Sequence, residues 1–422
     1  EKPYRELIYE INCILIVFNT PQYNLTVTPK EVSGLDTLKF CQVFQITMDE
    51  FKDKMDKAKR YSYVQPTIFI KQLSNEDLAQ VQDFLVDFNG FRIEARTTRS
   101  YSSPVLSNAL GYVSEVSKPQ LERDTSNYYQ QGDYIGQSGI EAYYEEYLRG
   151  KRGVKYKIKN VKGVEKGDFE DGKYDTLSIP GLNLTTTIDL SLQEYGEELL
   201  KGKAGSIVAI EPASGEVLSL VSGPSYDPNL LTGKEYSKNF SLISSDTAKP
   251  LFNRPLMAQY RPGSIFKIIQ ALIALDEGLI NRNTYIPCIM VPMKCHYHGP
   301  VDTLVGAITN SCNPYFYNVM RRVVNRNIVD DSYEDTRLGL KTWSENVKSF
   351  GLGEPLGIDL PNEKTGLVPS VAYYDRAYNY RPWKYSNIYS IAIGEGENLV
   401  VPILMANFAA TVANRGYYIA PH

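Results

Sequence analysis

Histidine is scarce in this sequence, with three residues in 422, and the two internal ones, His296 and His298, fall in one short turn. A hydrolase of the Ser-His-Asp type needs a histidine beside its serine. The sequence also contains no Gly-x-Ser-x-Gly nucleophile elbow, so it argues against that class of enzyme. The adjacent carboxylates Glu145 and Glu146 are interpreted as helix surface rather than as the acid pair of a glycosidase.

Long apolar runs are also missing. The longest early run, Ile14 to Phe18, has the length and β-branching of a strand, far short of the roughly 18 residues of a membrane span. The formal net charge of −4 gives no electrostatic reason to expect a nucleic-acid partner. The basic residues from Lys151 to Lys159 are interpreted as a solvated strand face. Because the sequence starts at Glu1 rather than Met, we interpret it as a processed or truncated product that can have lost an N-terminal anchor.

Five cysteines are too scattered for a disulfide framework, and the odd count leaves at least one thiol unpaired. Four metal-binding side chains nevertheless fall within eleven residues, namely Cys288, Cys295, His296 and His298. That density suits zinc, but the spacing matches no standard zinc finger. A structural zinc site is one interpretation of this cluster, and a local disulfide or free thiols are the other.

The length and the ordinary composition predict two or more folded domains. Residues 1–184 are rich in strand patterns, with a helix expected over 75–88 and hairpins after 153. In residues 185–422 a helix is expected over about 191–200, followed by an apolar strand pair around a turn, over 205–221. Helix patterns dominate from about 262. Strands followed by a helix-rich block predict an α/β or α+β domain with a largely antiparallel sheet.

The clearest chemical signal is Ser264 followed by Lys267, directly after the turn Pro262-Gly263. We expect Ser264 to open a helix that ends at Gly278 and is buried, because it is apolar nearly all round. Residues three apart project from the same side of a first helical turn, so the lysine would lie beside the serine. Burial lowers the pKa of a lysine, and a neutral amine can take the serine proton. The structural alternative is a capping serine and a lysine that reaches solvent.

A second element lies 47 residues downstream, where Ser311 and Asn313 precede Pro314. We expect Asn313 to cap a helix that starts at Pro314, which would present the hydroxyl and the amide on one side of a tight loop. Such groups can relay a proton to a leaving amine and hold a peptide backbone. The Ser-x-Asn spacing alone is weak, since it recurs at Ser237 and Ser344, which are interpreted as solvated surface.

Ser-x-x-Lys at a helix start with a downstream Ser-x-Asn loop resembles the penicillin-binding protein and serine β-lactamase superfamily. Further segments resemble class B penicillin-binding proteins over almost the whole chain: 136–141, 147–150, 184–193, 205–217, 224–229 and 253–254. The run 18–32 resembles the elongation, or rod-shape, type more than the division type. The resemblance implies an α+β multidomain protein. Residues 1–184 would form a β-rich pedestal of the dimerisation type. Residues 185–422 would form a transpeptidase domain, similar to serine β-lactamases, with a five-stranded antiparallel sheet between helical layers.

The same resemblance implies a peptidoglycan D,D-transpeptidase that cross-links stem peptides. Ser264 would form the acyl-enzyme, Lys267 would act as its base, Ser311 would shuttle the proton and Asn313 would bind the donor peptide. β-Lactam antibiotics would acylate Ser264, and the chemistry requires no cofactor. Two alternatives stay open: a β-lactamase or D-Ala-D-Ala carboxypeptidase on the same fold, and a non-catalytic β-lactam sensor.

The resemblance also implies a setting: the periplasmic face of the bacterial inner membrane, a single N-terminal anchor outside this chain, and an integral-membrane glycan polymerase of the rod-shape complex as partner. Elongation-type relatives can carry zinc near the cluster at 288–298. The family's third motif, Lys-Thr/Ser-Gly, is expected beyond His422, so the transpeptidase domain would be incomplete at its C-terminal end. The triplet Lys364 to Gly366 matches this motif, but prolines and turn residues flank it, and we do not expect it to be the catalytic strand.

Overall fold

The structure is a computed structural model that describes residues 2–161, 165–290, 292–301 and 303–422. It divides into two compact units. Unit 1 is formed by Glu1–Glu197 with Pro224–Leu251, and unit 2 by Glu198–Gly223 with Phe252–His422. Strands and helices occur in both units, which confirms the predicted mixture of α and β structure. Over the described ranges, no helix combines a membrane-spanning length with sufficient hydrophobicity.

Unit 1 is built around one long strand. Its strands are β1 (Ile8–Tyr9), β2 (Leu15–Val27), β3 (Thr67–Leu73), β4 (Phe91–Tyr101), β5 (Val113–Glu115), β6 (Tyr134–Gly136), β7 (Lys157–Lys159), β8 (Glu165–Asp168) and β9 (Leu184–Thr185). β2 is rich in the β-branched and aromatic residues that favour extended backbone. It pairs antiparallel with β4 over eleven positions, from Val17 opposite Tyr101 to Val27 opposite Phe91. β3 and β1 also pair with β2, and β1 pairs in turn with β9.

The helices of unit 1 are α1 (Thr37–Val43), α2 (Met48–Tyr61), α3 (Asn75–Val81), α4 (Ser107–Leu110), α5 (Lys118–Arg123), α6 (Gly139–Tyr143), α7 (Glu145–Leu148), α8 (Leu190–Leu199) and α9 (Tyr236–Ser245). Of these, α1 and α2 contribute buried side chains to a core of phenylalanines. The rings of Phe51, Phe69, Phe88 and Phe91 lie with their centres 4.6–5.7 Å from that of Phe40. The helix expected over 75–88 is present as α3 followed by a 3₁₀ segment over 82–87.

A buried ionic network ties the start of the chain to α6 and α7. Glu141 is fully buried and accepts from Arg5 Nε at 2.6 Å and from Arg99 Nε at 2.8 Å. Burial by itself would raise the pKa of Glu141, but the two guanidinium groups hold it below its ordinary value. Glu145 is buried too and accepts from Arg5 at 2.7 Å, so its interpretation as helix surface was wrong. Only Glu146 of that pair is exposed.

The described part of unit 2 contains one hairpin, and its other elements are helices. Its elements are β10 (Gly205–Ile210), β11 (Val217–Gly223), α10 (Arg254–Met257), α11 (Phe266–Asp276), α12 (Leu304–Thr309), α13 (Asn313–Val324), α14 (Ser332–Ser349), α15 (Val371–Ala377), α16 (Tyr385–Ile388) and α17 (Pro402–Ala413). β10 and β11 pair antiparallel, and the backbone of His422 lies alongside the start of β11, accepting from Val217 N at 2.9 Å. Of the expected five-stranded sheet, the described part of unit 2 contains these two strands.

The central helix α11 is buried on one side rather than all round. Phe266, Ile269 and Ile273 are at most 2% exposed, and α11 packs against α13 and α14. Ile268 and Leu272, four residues apart on the other side, are more than a third exposed. The expectation of an entirely buried helix was therefore wrong for that side, because apolar composition does not specify which faces are covered.

Candidate active site

Ser264 lies in a 3₁₀ turn, Gly263–Ile265, that leads directly into α11. Its side chain is exposed. Gly263 has a φ of +60°, which glycine adopts without strain, and its N–H donates to the carbonyl of Gly394 at 3.0 Å. A Cβ on Gly394 would lie 2.2 Å from the Gly263 carbonyl oxygen, so only glycine permits this approach. The two glycines therefore fix the turn that presents the Ser264 hydroxyl.

Lys267 lies one turn further along and is 2% exposed. Its Nζ donates to the Ser311 carbonyl at 2.7 Å, to the Ser311 hydroxyl at 2.9 Å and to Asn313 Oδ1 at 2.6 Å. Burial lowers the pKa of Lys267, while Cys295 and Cys312 act in the opposite direction. A lysine with a lowered pKa is more readily neutral, and a neutral amine can accept a proton.

Ser311 connects the other two groups. Its hydroxyl lies 3.0 Å from the Ser264 hydroxyl and 2.9 Å from Lys267 Nζ. The sequence predicted a direct contact of Lys267 with Ser264, whereas the hydrogen bonds of the described residues run through Ser311. Ser311 has a φ of +48°, a left-handed backbone that is costly for a residue with a side chain. Backbone strain of this kind is typical of functional sites.

Asn313 is the first residue of α13 and Pro314 the second. The helix cap is Cys312, so the expectation that Asn313 itself caps the helix was wrong by one position. The Asn313 amide therefore does not cap the helix. Its Oδ1 accepts from Lys267, and its Nδ2 donates to the Lys294 carbonyl at 3.0 Å. Of the two other Ser-x-Asn serines, Ser237 is exposed as expected, but Ser344 is buried in α14, contrary to expectation.

A cluster of thiols and one imidazole adjoins these residues. Cys288, Cys295, His298 and Cys312 bring their ligand atoms within 4.8 Å of one another. Three of the four predicted ligands are in this group. His296 is not, and its Nδ1 lies 3.9 Å from Cys295 Sγ. Cys312 was missed because it lies outside the eleven-residue cluster, between Ser311 and Asn313. Three cysteines and a histidine form a common donor set for structural zinc.

Both ring nitrogens of His298 have a contact in this cluster. Cys288 Sγ lies 3.4 Å from His298 Nε2, and His298 Nδ1 lies 2.7 Å from the Gly299 carbonyl. A backbone carbonyl on one ring nitrogen orients the other toward a metal. Burial raises the pKa of Cys288 and Cys312.

The triplet Lys364 to Gly366 lies in a turn-rich segment of unit 2 and in no strand. The N–H of Lys364 donates to the Leu256 carbonyl at 2.9 Å. Leu367, the next residue, forms an isolated bridge with Leu399. This placement agrees with the expectation that the triplet is not the catalytic strand.

Comparison with models of known protein families identifies the family of this chain. The model of the penicillin-binding protein dimerisation domain matches residues 1–186. The model of the penicillin-binding protein transpeptidase domain matches residues 205–422, more than half of the chain. The chain belongs to the penicillin-binding protein family. The predicted family and the predicted order of its two domains are therefore confirmed.

Its relatives include peptidoglycan D,D-transpeptidases named MrdA. The chain is 31% identical to the one from Salmonella typhimurium and 30% identical to the one from Escherichia coli strain K12, over its whole length. It spans 67% and 66% of their lengths, about two thirds.

Among solved structures, the chain is 25% identical to the penicillin-binding protein PBP2 of Helicobacter pylori in complex with MreC, with a TM-score of 0.79 over 100% of this chain and 78% of that one. It is 26% identical to a chain of a peptidoglycan synthase complex, with a TM-score of 0.67 over 98% of this chain and 69% of that one. The likeness to MrdA and PBP2 proteins confirms the predicted elongation type.

Proposed function

We propose that this penicillin-binding protein cross-links peptidoglycan by acyl transfer through Ser264. The observation that carries the proposal is the hydrogen-bonded chain from Lys267 through the Ser311 hydroxyl to the Ser264 hydroxyl. It gives a serine in an exposed turn a route for its proton to a buried amine with a lowered pKa.

The first half-reaction takes a D-Ala-D-Ala stem peptide. The Ser264 oxygen attacks the carbonyl of the penultimate D-alanine while its proton moves to Ser311 and that of Ser311 moves to neutral Lys267. Collapse of the tetrahedral intermediate breaks the peptide bond, and the proton returns through Ser311 to the leaving D-alanine amine. In this proposal Asn313, whose amide is hydrogen-bonded to Lys267 and to the Lys294 carbonyl, binds the donor peptide.

The second half-reaction reverses the proton path. The neutral amine of a neighbouring stem attacks the acyl-enzyme carbonyl and gives up one proton through the same groups. The ester bond to Ser264 breaks, and the proton restores its hydroxyl. Attack by water in place of the amine would give hydrolysis, as in a carboxypeptidase or β-lactamase. A protein whose acyl-enzyme reacted with neither the amine nor water would be a β-lactam sensor.

Intact-mass measurement and peptide mapping after incubation with a penicillin test the proposal. We expect one stable adduct on the peptide containing Ser264, absent in Ser264→Ala and retained in Ser237→Ala, a matched control from another Ser-x-Asn segment. Rapid release of hydrolysed penicillin would instead support a β-lactamase. Penicillin that survives with no adduct would show that the assignment around Ser264 is wrong. A stable adduct on an enzyme that forms no cross-links from stem peptides would support the sensor.

We propose further that the protein acts on the periplasmic side of the inner membrane, through an N-terminal anchor outside this chain. We propose an integral-membrane glycan polymerase of the rod-shape complex as its partner. The support is the likeness to a PBP2 solved with MreC and to a chain of a peptidoglycan synthase complex. Affinity capture of the full-length protein from membranes should recover a rod-type polymerase. Recovery of a division-type polymerase in its place would contradict this assignment.

We propose that Cys288, Cys295, His298 and Cys312 hold a structural zinc ion, since their ligand atoms lie within 4.8 Å of one another. No proton-transfer step passes through it. Metal analysis of the purified protein should give one zinc per chain, lost in Cys288→Ser and His298→Ala. His296→Ala and the exposed Cys13→Ser are the controls. Zinc that depends on His296 as strongly as on His298 would contradict this ligand set, as would a Cys288 disulfide found by mass spectrometry.

A further inference from the structure

A cavity of about 740 Å³ lies in unit 1, remote in sequence from Ser264. Its volume is in the range of small-molecule sites, which is roughly 300–1,000 Å³. Five cationic side chains line it, from Lys2, Arg149, Lys151, Arg152 and Lys155, and Glu146 is the one acidic lining residue in the described part of the chain. Part of the basic run interpreted as a solvated strand face therefore converges on a concave surface, in a chain whose net charge is negative.

The cations that line this cavity outnumber the carboxylates that line it. The buried Asp133 pairs with both Lys2 and Arg152. Arg149 lies 3.7 Å from Glu146, whose side chain is 84% exposed, so that pair is weak. Lys155 also interacts electrostatically with Asp168. Repulsion among cations held this closely costs free energy that a bound anion would offset.

The two arginines are held in place by an aromatic ring. The guanidinium carbon of Arg149 lies 4.0 Å from the ring centre of Tyr128, and that of Arg152 lies 4.7 Å from the same ring. Arg149 also donates to the Tyr129 hydroxyl at 2.9 Å. Stacking against a ring fixes the plane of a guanidinium and leaves its N–H edge available for oxyanions.

We propose that the cavity binds a phosphate-bearing group, either a soluble diphosphate or the headgroup of an anionic phospholipid. Arginine forks match phosphate oxygens with paired hydrogen bonds, and phosphate concentrates more charge at one point than a carboxylate does. Lys151, whose side chain is exposed, and Lys155 lie on the rim and add long-range attraction. The site does not involve Ser264, so it stands or falls separately from the acyl transfer.

Two probes distinguish the sources of phosphate. Isothermal titration of the full chain with sodium pyrophosphate tests a soluble diphosphate. Flotation with vesicles of phosphatidylglycerol in phosphatidylcholine, compared with phosphatidylcholine alone, tests a lipid headgroup. We expect saturable binding to at least one probe. We also expect a loss of about tenfold or more in the double variant Lys151→Gln/Lys155→Gln, which removes two cations from the rim.

A matched control makes the same change of charge elsewhere in unit 1: Lys52→Gln/Lys59→Gln, two exposed positions on α2. It should bind like the unaltered protein. Arg152→Lys keeps the charge but removes the fork and should also weaken binding, with circular dichroism confirming that each variant is folded. The proposal is overturned if neither probe binds saturably or if the control pair loses as much affinity. It is overturned too if poly-glutamate binds as tightly as the probes, since an acidic partner protein would then explain the cavity.

Discussion

Removal of the Ser311 hydroxyl is the perturbation that tests the proposed proton route most directly. In Ser311→Ala, Lys267 keeps two of its three acceptors, the residue 311 carbonyl at 2.7 Å and Asn313 Oδ1 at 2.6 Å. The lysine therefore stays in position while its connection to Ser264 is cut. A positioned proton-transfer group contributes about 10²–10⁴-fold to a rate, or about 2.7–5.5 kcal/mol. We expect a loss of that size in acylation.

The assay is the second-order rate constant for labelling with a fluorescent penicillin. Ser311→Gly is the companion variant. It removes the same hydroxyl, but it also relieves the left-handed backbone at φ +48°, which costs a residue with a side chain about 1–2 kcal/mol. Both variants should acylate slowly, although Ser311→Gly should be the more stable of the two in urea unfolding.

This pairing separates chemistry from stability. If Ser311→Ala acylates within a few-fold of the unaltered protein, the relay through Ser311 is wrong and Lys267 must act on Ser264 directly. If the rates follow the stabilities, so that Ser311→Gly is fast and Ser311→Ala slow, backbone geometry rather than the hydroxyl governs the rate.

Three further predictions concern charge and packing. Because neutral Lys267 is the reactive form and its pKa is lowered, the acylation rate should rise with pH and level off at a pH below the ordinary lysine pKa. An acylation rate that falls as the pH rises toward that value would contradict the role of Lys267 as base. Glu141→Gln should destabilise the protein by about 3–5 kcal/mol in urea unfolding, since it leaves Arg99 poorly compensated. The lowered pKa of Glu141 gives stabilisation that is full above the ordinary glutamate pKa and lost as pH falls through the folded value. The difference between Glu141→Gln and the unaltered protein should therefore shrink in acid, and a constant difference would contradict this. Gly339→Ala should lower the melting temperature although alanine favours helix by about 1 kcal/mol, because its Cβ would lie 2.0 Å from the Val324 carbonyl oxygen; a stabilised variant would refute the backbone contact.

The parts of the site that the sequence predicted are those with local backbone requirements. Ser264 follows a Pro-Gly turn and opens a helix, and Asn313 precedes a proline at a helix start, so each motif specifies its own secondary structure. The order of the hydrogen bonds among Lys267, Ser311 and Ser264 has no such local requirement. That the Ser311 hydroxyl lies between Lys267 and Ser264 depends on how α11 packs against α13, which no local pattern encodes.

The predictions for Glu145, taken as exposed, and for Cys312, not taken as a metal ligand, failed for the same reason. Glu145 has a charged neighbour and the composition of a helix surface, yet Arg5, 140 residues away, pairs with it in the interior. Cys312 is distant in sequence from His298, and only the fold brings it to Cys288. Local charge and spacing predict exposure and clustering correctly only when the partner is also local.

The position of Cys312 determines which variants are informative about zinc. It is flanked by Ser311 and Asn313, both hydrogen-bonded to Lys267, and it forms the cap from which α13 begins. Substitution of Cys312 would displace the proton route and the metal ligand together, so loss of activity could not be assigned to either. Cys288 and His298 lie outside that loop, and among the described residues neither is hydrogen-bonded to Ser264. An effect of Cys288→Ser on acylation must therefore be transmitted through the cluster, and that is the sense in which a structural metal can support a reaction that it does not perform.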